Sequence, residues 1–428
     1  MRFTTSAVLL TLCVAHAGNA SSFNEDERDD QSIPIAGGML LTPFLNIQQR
    51  YDSNVASTNI EDINSWLTIF QPNVKLTREF GEFGKHNFEI DWIFTHGAYH
   101  AAQDDSYNDH DISGKLNYEI NQRHRLMFQG GYIDSHEERG SRFSIGTGGL
   151  LEEPDTYEQI YGGVQYTFGA LEADMRLEVE VGYFDNDYRS VFTESIVTGE
   201  PFDSTAARDR TTEEFGGTFY YKIGAATDLT IEAWSTEYDY DYTPTPAEEL
   251  SSNESRVFVG AKWEATALTT GFAKVGYKEK EFDNPLFENF YNVEWEAEID
   301  WAPKTYSHFT FKTGRRIEET NGEGFFIESA IGNGYVINST QHSADWRHEW
   351  RDRISSEVVY AENKDVYTGL TGKIREDNNT SVKLALYYDM SYWVSFSLAY
   401  DYIDRDSTRE LLNYDRELVT LGVRLALY

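Results

Sequence analysis

The sequence predicts an all-β protein, a transmembrane antiparallel up-and-down β-barrel of the outer membrane with about 18 strands. Three observations carry this. From residue 39 to the end, segments of roughly ten to fourteen residues alternate apolar and polar side chains. The connectors alternate too, one long and acidic, the next short, as in a barrel whose two ends face different compartments. After residue 20 there is no run of about eighteen apolar residues, so no transmembrane helix is expected.

Residues 1–20 look like a secretory signal peptide. Arg2 supplies the positive start, residues 7–15 a short apolar core, and Ala15-His16-Ala17 or Gly18-Asn19-Ala20 a small-residue cleavage site. Cys13 lies inside that apolar core with Leu12 before it, which argues against lipoprotein processing. Removal of the signal leaves no cysteine, hence no disulfide, thiolate zinc site or cysteine nucleophile. Residues 21–38 hold Glu25, Asp26, Glu27, Asp29 and Asp30 and read as a flexible acidic periplasmic arm. The barrel is expected over 39–428.

The expected strands are 39–50, 65–78, 87–99, 111–120, 124–134, 156–168, 174–186, 212–223, 228–240, 254–264, 268–280, 289–301, 305–317, 334–349, 353–362, 380–390, 392–402 and a last one from 418. Nine long connectors then alternate with eight short ones, with glycine and proline mostly in the connectors. An even strand number puts both termini on one side, the periplasmic side of short turns. The net charge of -36 excludes nucleic acid as a partner. Much of that acid falls in the long connectors, as solvated loops or as a field that favours cations.

Segment 289–301 shows the two-faced logic. Tyr291, Val293, Trp295, Ala297, Ile299 and Trp301 form one face; Asn292, Glu294, Glu296, Glu298 and Asp300 form the other. Charges facing hydrocarbon cost a few kcal/mol each, so the acidic row is expected to line a lumen. Lys274, Lys278 and Lys280 on the preceding strand share that face and are expected to pair with it. The lysine and glutamate rows read either as a ladder that stiffens the wall or as a track for a polar substrate. Tyr238, Tyr240 and Tyr242 alternate with aspartates, as do Tyr400 and Tyr402. They read as an interfacial aromatic girdle or, if turned inward, as a sugar-binding surface. The nine tryptophans mostly sit near strand ends and favour a girdle.

No catalytic signature is present: no phosphate loop, paired-histidine zinc helix or nucleophile elbow. The cluster Asp104, Asp105, Asn108, Asp109 and Asp111 lacks the spacing and glycine of a helix–loop–helix calcium site. The expectation is a protein without enzymatic activity, cofactor or resident metal.

The opening strand Leu41-Thr42-Pro43-Phe44-Leu45, the following Tyr51-Asp52-Ser53-Asn54-Val55 and the segment Phe70-Gln71-Pro72-Asn73-Val74-Lys75-Leu76 resemble the β-barrel porin-2 family of Gram-negative outer-membrane proteins. In order and spacing the likeness covers nearly the whole chain after the signal. It implies outer-membrane lipids and the barrel-assembly machinery as partners. Through the family's association with exopolysaccharide and capsule systems, it also implies a conduit for an exported polysaccharide, served by periplasmic components of a secretion system. One departure concerns the end of the chain: Val419, Leu421, Val423, Leu425 and Leu427 form the apolar row, and Tyr428 falls out of phase with it. The leading expectation is therefore polysaccharide export. A general or cation-preferring diffusion porin for small polar solutes, a surface adhesion barrel and a secreted soluble β protein are the alternatives.

Overall fold

A computed structural model describes residues 32–59, 62–145, 149, 151–194, 201–203, 205–241, 249–266, 268–320 and 334–427. The expected signal peptide, residues 21–31 of the arm, Tyr242 and Tyr428 lie outside the described residues.

Eighteen long antiparallel strands each pair with the next. They are β1 (Met39–Asp52), β2 (Ser65–Phe80), β3 (His86–Tyr99), β4 (Tyr107–Asn121), β5 (His124–Glu137), β6 (Asp155–Phe168), β7 (Met175–Tyr188), β8 (Arg210–Gly224) and β9 (Thr227–Tyr240). The second half continues with β10 (Ser252–Thr266), β11 (Thr269–Phe282), β12 (Phe290–Lys304), β13 (Ser307–Glu318), β14 (Val336–Arg351), β15 (Ile354–Gly369), β16 (Gly372–Ser391), β17 (Val394–Ser407) and β18 (Tyr414–Ala426). Phe44–Asp52 of β1 pairs with β18 in antiparallel register, Phe44 opposite Ala426 and Asp52 opposite Leu418, and this closes the barrel. Closure leaves no open sheet edge in the hydrocarbon, the condition for a sheet to span a bilayer.

The period of two sorts side chains as the sequence predicts. On β12, Tyr291, Val293, Ile299 and Trp301 are exposed on the outer face, while Asn292 and Glu294 are buried inside. Eight of the nine tryptophans follow the outer phase, and only Trp234 turns inward. Outer aromatics gather in two belts. Tyr51–Trp66 and the stacked pair Tyr277–Tyr291 lie near the long-loop end. Trp301–Phe309 and Phe309–Trp346 lie near the short-turn end. In β18 the odd-numbered row does face outward, Val419, Leu421 and Leu427 being exposed.

Connectors at one end are two to six residues long, and β1 begins and β18 ends on that side. At the other end they reach 138–154, 189–209 and 319–335. Two expectations change here. The connector expected at 363–379 is instead strand: β15 and β16 run on to a two-residue turn between Gly369 and Gly372. Its polar residues read as loop, but Asn363, Asp365, Asp377 and Asn379 alternate inward and bond to one another or to neighbouring strands. The arm also becomes ordered before residue 38. Ile33–Ile35 pairs with Met39–Leu41, on the flank of β1 that β18 leaves uncovered.

Candidate functional site

The inner wall carries most of the protein's buried charge, and its exposure falls from one end to the other. The β11–β13 sector shows this as a ladder. Nearest the short-turn end, Lys312 pairs with Glu298 at 3.1 Å with side chains 57% and 32% exposed. Higher, Lys274 meets Glu296 at 3.0 Å and Glu232 at 3.1 Å. Higher still, Lys278 holds Glu254 at 2.7 Å and Glu294 at 3.7 Å, all at most 5% exposed. At the top, Lys280 reaches Glu319 at 2.5 Å and Glu254 at 3.4 Å. The register puts Lys274 directly opposite Glu296, so the expected shared face and cross-strand pairing are present. Asp300 lies on the same face and accepts a 2.7 Å hydrogen bond from Thr310. Along this sector the ion pairs thus pass from water-exposed near the short turns to buried near the long connectors.

Tyr238 and Tyr240 are not girdle residues. Both point inward and are buried with Leu250, Phe282, Ile317, Tyr335 and Val336 beneath the long connectors. Tyr240 donates a 2.7 Å hydrogen bond to Glu319, and Lys280 sits 4.4 Å from the Tyr238 ring centre. The signal is the phase of the strand: Tyr238 and Tyr240 fall in the same row as Thr230, Glu232 and Trp234, opposite the apolar Leu229, Ile231 and Ala233. Tyr400 and Tyr402 have the opposite phase and do face outward.

The mouth contains residues that the sequence reading passed over as functional. Arg416 of β18 grips Asp52 of β1 with Nε–Oδ1 at 3.0 Å and a second N–O contact at 2.5 Å. Its remaining nitrogen donates to Glu138 at 2.6 Å. Glu138 follows β5, five strands away along the wall. At about 4.8 Å per strand that is roughly 24 Å of wall, so the start of the connector at Glu138 must turn inward across the opening to make this contact. The next residue, Arg139, clasps Asp105 in two bonds of 2.6 and 2.5 Å, and Gly140 packs on the first connector. Gly140 has φ +72°, and a Cβ there would lie 2.3 Å from the Ala56 carbonyl oxygen, so only glycine fits. Further round, Arg208 is held by Asp155 at 2.7 Å and Glu137 at 3.5 Å.

The Asp52-Ser53-Asn54-Val55 motif is the corner of this construction. Asp52 accepts from Arg416 and from the Asn54 backbone N–H at 3.0 Å. The Asn54 amide donates to the carbonyls of Thr58 and Asp415. Val55 and Ala56 are buried under it. Burial pushes the Asp105 carboxyl up, against the pull of Arg139. Burial also acts to raise Glu138, but the Arg416 guanidinium outweighs it and holds that carboxyl below the usual range. Asp105 and Asp109 of the acidic cluster are thus engaged, Asp109 with His136 at 3.0 Å. Among the described residues no group of acids and histidines is arranged to hold a metal ion.

The family model described as "Putative beta-barrel porin 2" matches residues 34–427. The chain belongs to this family. It is an outer-membrane β-barrel porin of a Gram-negative bacterium, set in outer-membrane lipid. Among solved structures it is similar to Pseudomonas aeruginosa OpdO, at 11% identity over 91% of this chain and 98% of that one, with a TM-score of 0.47. It is also similar to Acinetobacter baumannii OccAB2, at 14% identity over 91% and 98%, with a TM-score of 0.49. A third is Pseudomonas aeruginosa OpdK crystallised with vanillate, at 11% identity over 90% and 99%, with a TM-score of 0.47. No curated protein matches the chain.

Proposed function

We propose that this porin is a passive, narrow channel for small polar solutes, without catalysis. One observation carries the reading: the Asp52–Arg416–Glu138 bridge, which draws a long connector across the mouth. The Asp52–Arg416 pair is buried and Glu138 only partly reachable by water, which counts against a wide water column at that level. An exported polysaccharide slides through its conduit as a hydrated chain and needs an unobstructed passage at every level. The packed mouth counts against that role, and with it against the periplasmic secretion partners that polysaccharide export implies. The vestibule, walled by exposed pairs such as Lys312–Glu298 and Lys75–Glu89, suits small hydrated solutes.

Liposome swelling tests this. Purified barrel in liposomes is expected to pass monosaccharides and amino acids, with rates falling steeply with solute size and no passage of oligosaccharides. Equal rates for monomer and oligomer would restore the polymer conduit.

A further inference from the structure

Trp234, the one inward tryptophan, marks a recess on the lumen wall that it shares with Gln165, Glu178, Glu180, Tyr220 and Glu232. The register explains how the recess forms. Glu180 of β7, Gly216 of β8 and Trp234 of β9 stand in one hydrogen-bonded row. A Cβ on Gly216 would lie 2.3 Å from the Trp234 ring, so the glycine lets the indole lie against the wall. Its Glu180 is the sixth residue of β7, counted from the short-turn end, so the recess lies below the buried ion pairs of the mouth.

The neighbouring glutamates each have a cation. Glu178 takes Arg176 at 3.2 Å, Glu232 takes Lys274 at 3.1 Å and Glu214 takes Arg256 at 2.6 Å. Glu180 has none among the described residues. It is 7% exposed, and its hydrogen bond comes from the Gln129 amide at a long 3.4 Å. The charged groups acting on it are the carboxylates of Glu214 and Glu178. A buried carboxylate among carboxylates is costly unless it takes up a proton or a cation joins it. The second observation is independent. The Trp234 Nε1–H, on a side chain 7% exposed, has no acceptor among the described groups, although indole N–H groups usually find one when buried.

We propose that this recess binds a cationic solute that also carries a hydrogen-bond acceptor. Its ammonium or guanidinium group pairs with Glu180, and its carboxylate or carbonyl oxygen accepts from Trp234 Nε1. A basic amino acid has both groups. The inference names a solute class and rests on the channel reading above.

Calorimetric titration of the detergent-folded porin with L-arginine tests it, beside agmatine, which lacks the carboxylate, and glucose. Arginine is expected to bind, agmatine more weakly and glucose not at all. Glu180→Gln is expected to weaken arginine at least about tenfold, the scale of a charge-assisted bond, while Trp234→Phe narrows the gap between arginine and agmatine. Heat-modifiable gel migration checks that each variant folds. If Glu180→Gln does not fold, Glu180→Asp replaces it, with an intermediate loss expected. Absence of arginine binding to the unaltered porin overturns the proposal, as does equal binding by the Glu180 variant. Arginine that binds but never crosses a liposome membrane overturns the channel reading and leaves the site. Solute passage without arginine binding does the reverse.

Discussion

Arg416→Ala removes one of the two guanidiniums that hold the start of the 138–154 connector, the other being Arg139 on Asp105. The side chain makes two bonds to Asp52, which is fully buried, and one to Glu138, which is partly reachable by water. Removing one partner of a buried pair costs about 3–5 kcal/mol, because the other charge is left without compensation. The lower end applies here, since Glu138 recovers hydration once the connector lifts away. At about 1.4 kcal/mol per factor of ten, 3 kcal/mol lowers the ratio of pinned to lifted connector more than a hundredfold. Single-channel recording in planar bilayers reads this as more frequent or longer large-conductance openings. Limited proteolysis of 138–154 on whole cells reads it as faster cleavage. Lys222→Ala is the control: its partner Glu172 is 84% exposed, and such surface pairs contribute about 0–1 kcal/mol. Conductance and cleavage that match the unaltered porin, in a folded Arg416→Ala protein, would refute the claim that this bridge narrows the mouth.

Other outcomes follow from the same wall. Lys278→Met takes the cation from buried Glu294 and leaves Glu254 only its longer contact to Lys280; it is expected to cost the lower end of about 3–5 kcal/mol in urea unfolding, whereas Lys312→Met, on an exposed pair, is expected to cost under about 1 kcal/mol. Val257→Arg places a charge on the outer face of β10 and is expected to destabilise the barrel by about 2–4 kcal/mol in lipid, measured by the same unfolding. The mouth is expected to loosen in acid. Arg416 holds the Glu138 carboxyl below its ordinary 4.5, so the pinning is complete above that value and lost as pH falls through the lower folded value. Conductance measured against pH is expected to rise as pH falls below that ordinary value, and Glu138→Gln to abolish that rise.

The barrel was legible because its outer face must be apolar at every second residue, whatever else the chain does. That constraint gave the strand number, the closure side and the phase of β18. It weakens where strands rise above the bilayer. There both faces are polar, so β15 and β16 lost their upper halves to an expected loop, and Tyr238 and Tyr240 stayed open between a girdle and an inward-facing reading. The Lys274–Glu296 pairing was legible because a hairpin fixes its register. The Asp52–Arg416–Glu138 bridge was not, because it joins the two ends of the chain to a connector from its first half. Trp234 and Glu180 carried a faint signal: a tryptophan in the inward phase of its strand, and paired glycines at Gly216 and Gly217 that no turn required.

Cysteine accessibility tests the central claim most directly. Cys13, in the expected signal peptide, is the only cysteine, so one introduced at Thr218 in the recess lining reports alone. Whole cells carrying Thr218→Cys are treated with a small cationic thiol reagent and with a bulky polymer-linked maleimide. The small reagent is expected to reach the cysteine from outside and the bulky one to be excluded. Labelling by both would mean an open polymer conduit, and labelling by neither a plugged barrel; either result would contradict a narrow channel for small solutes.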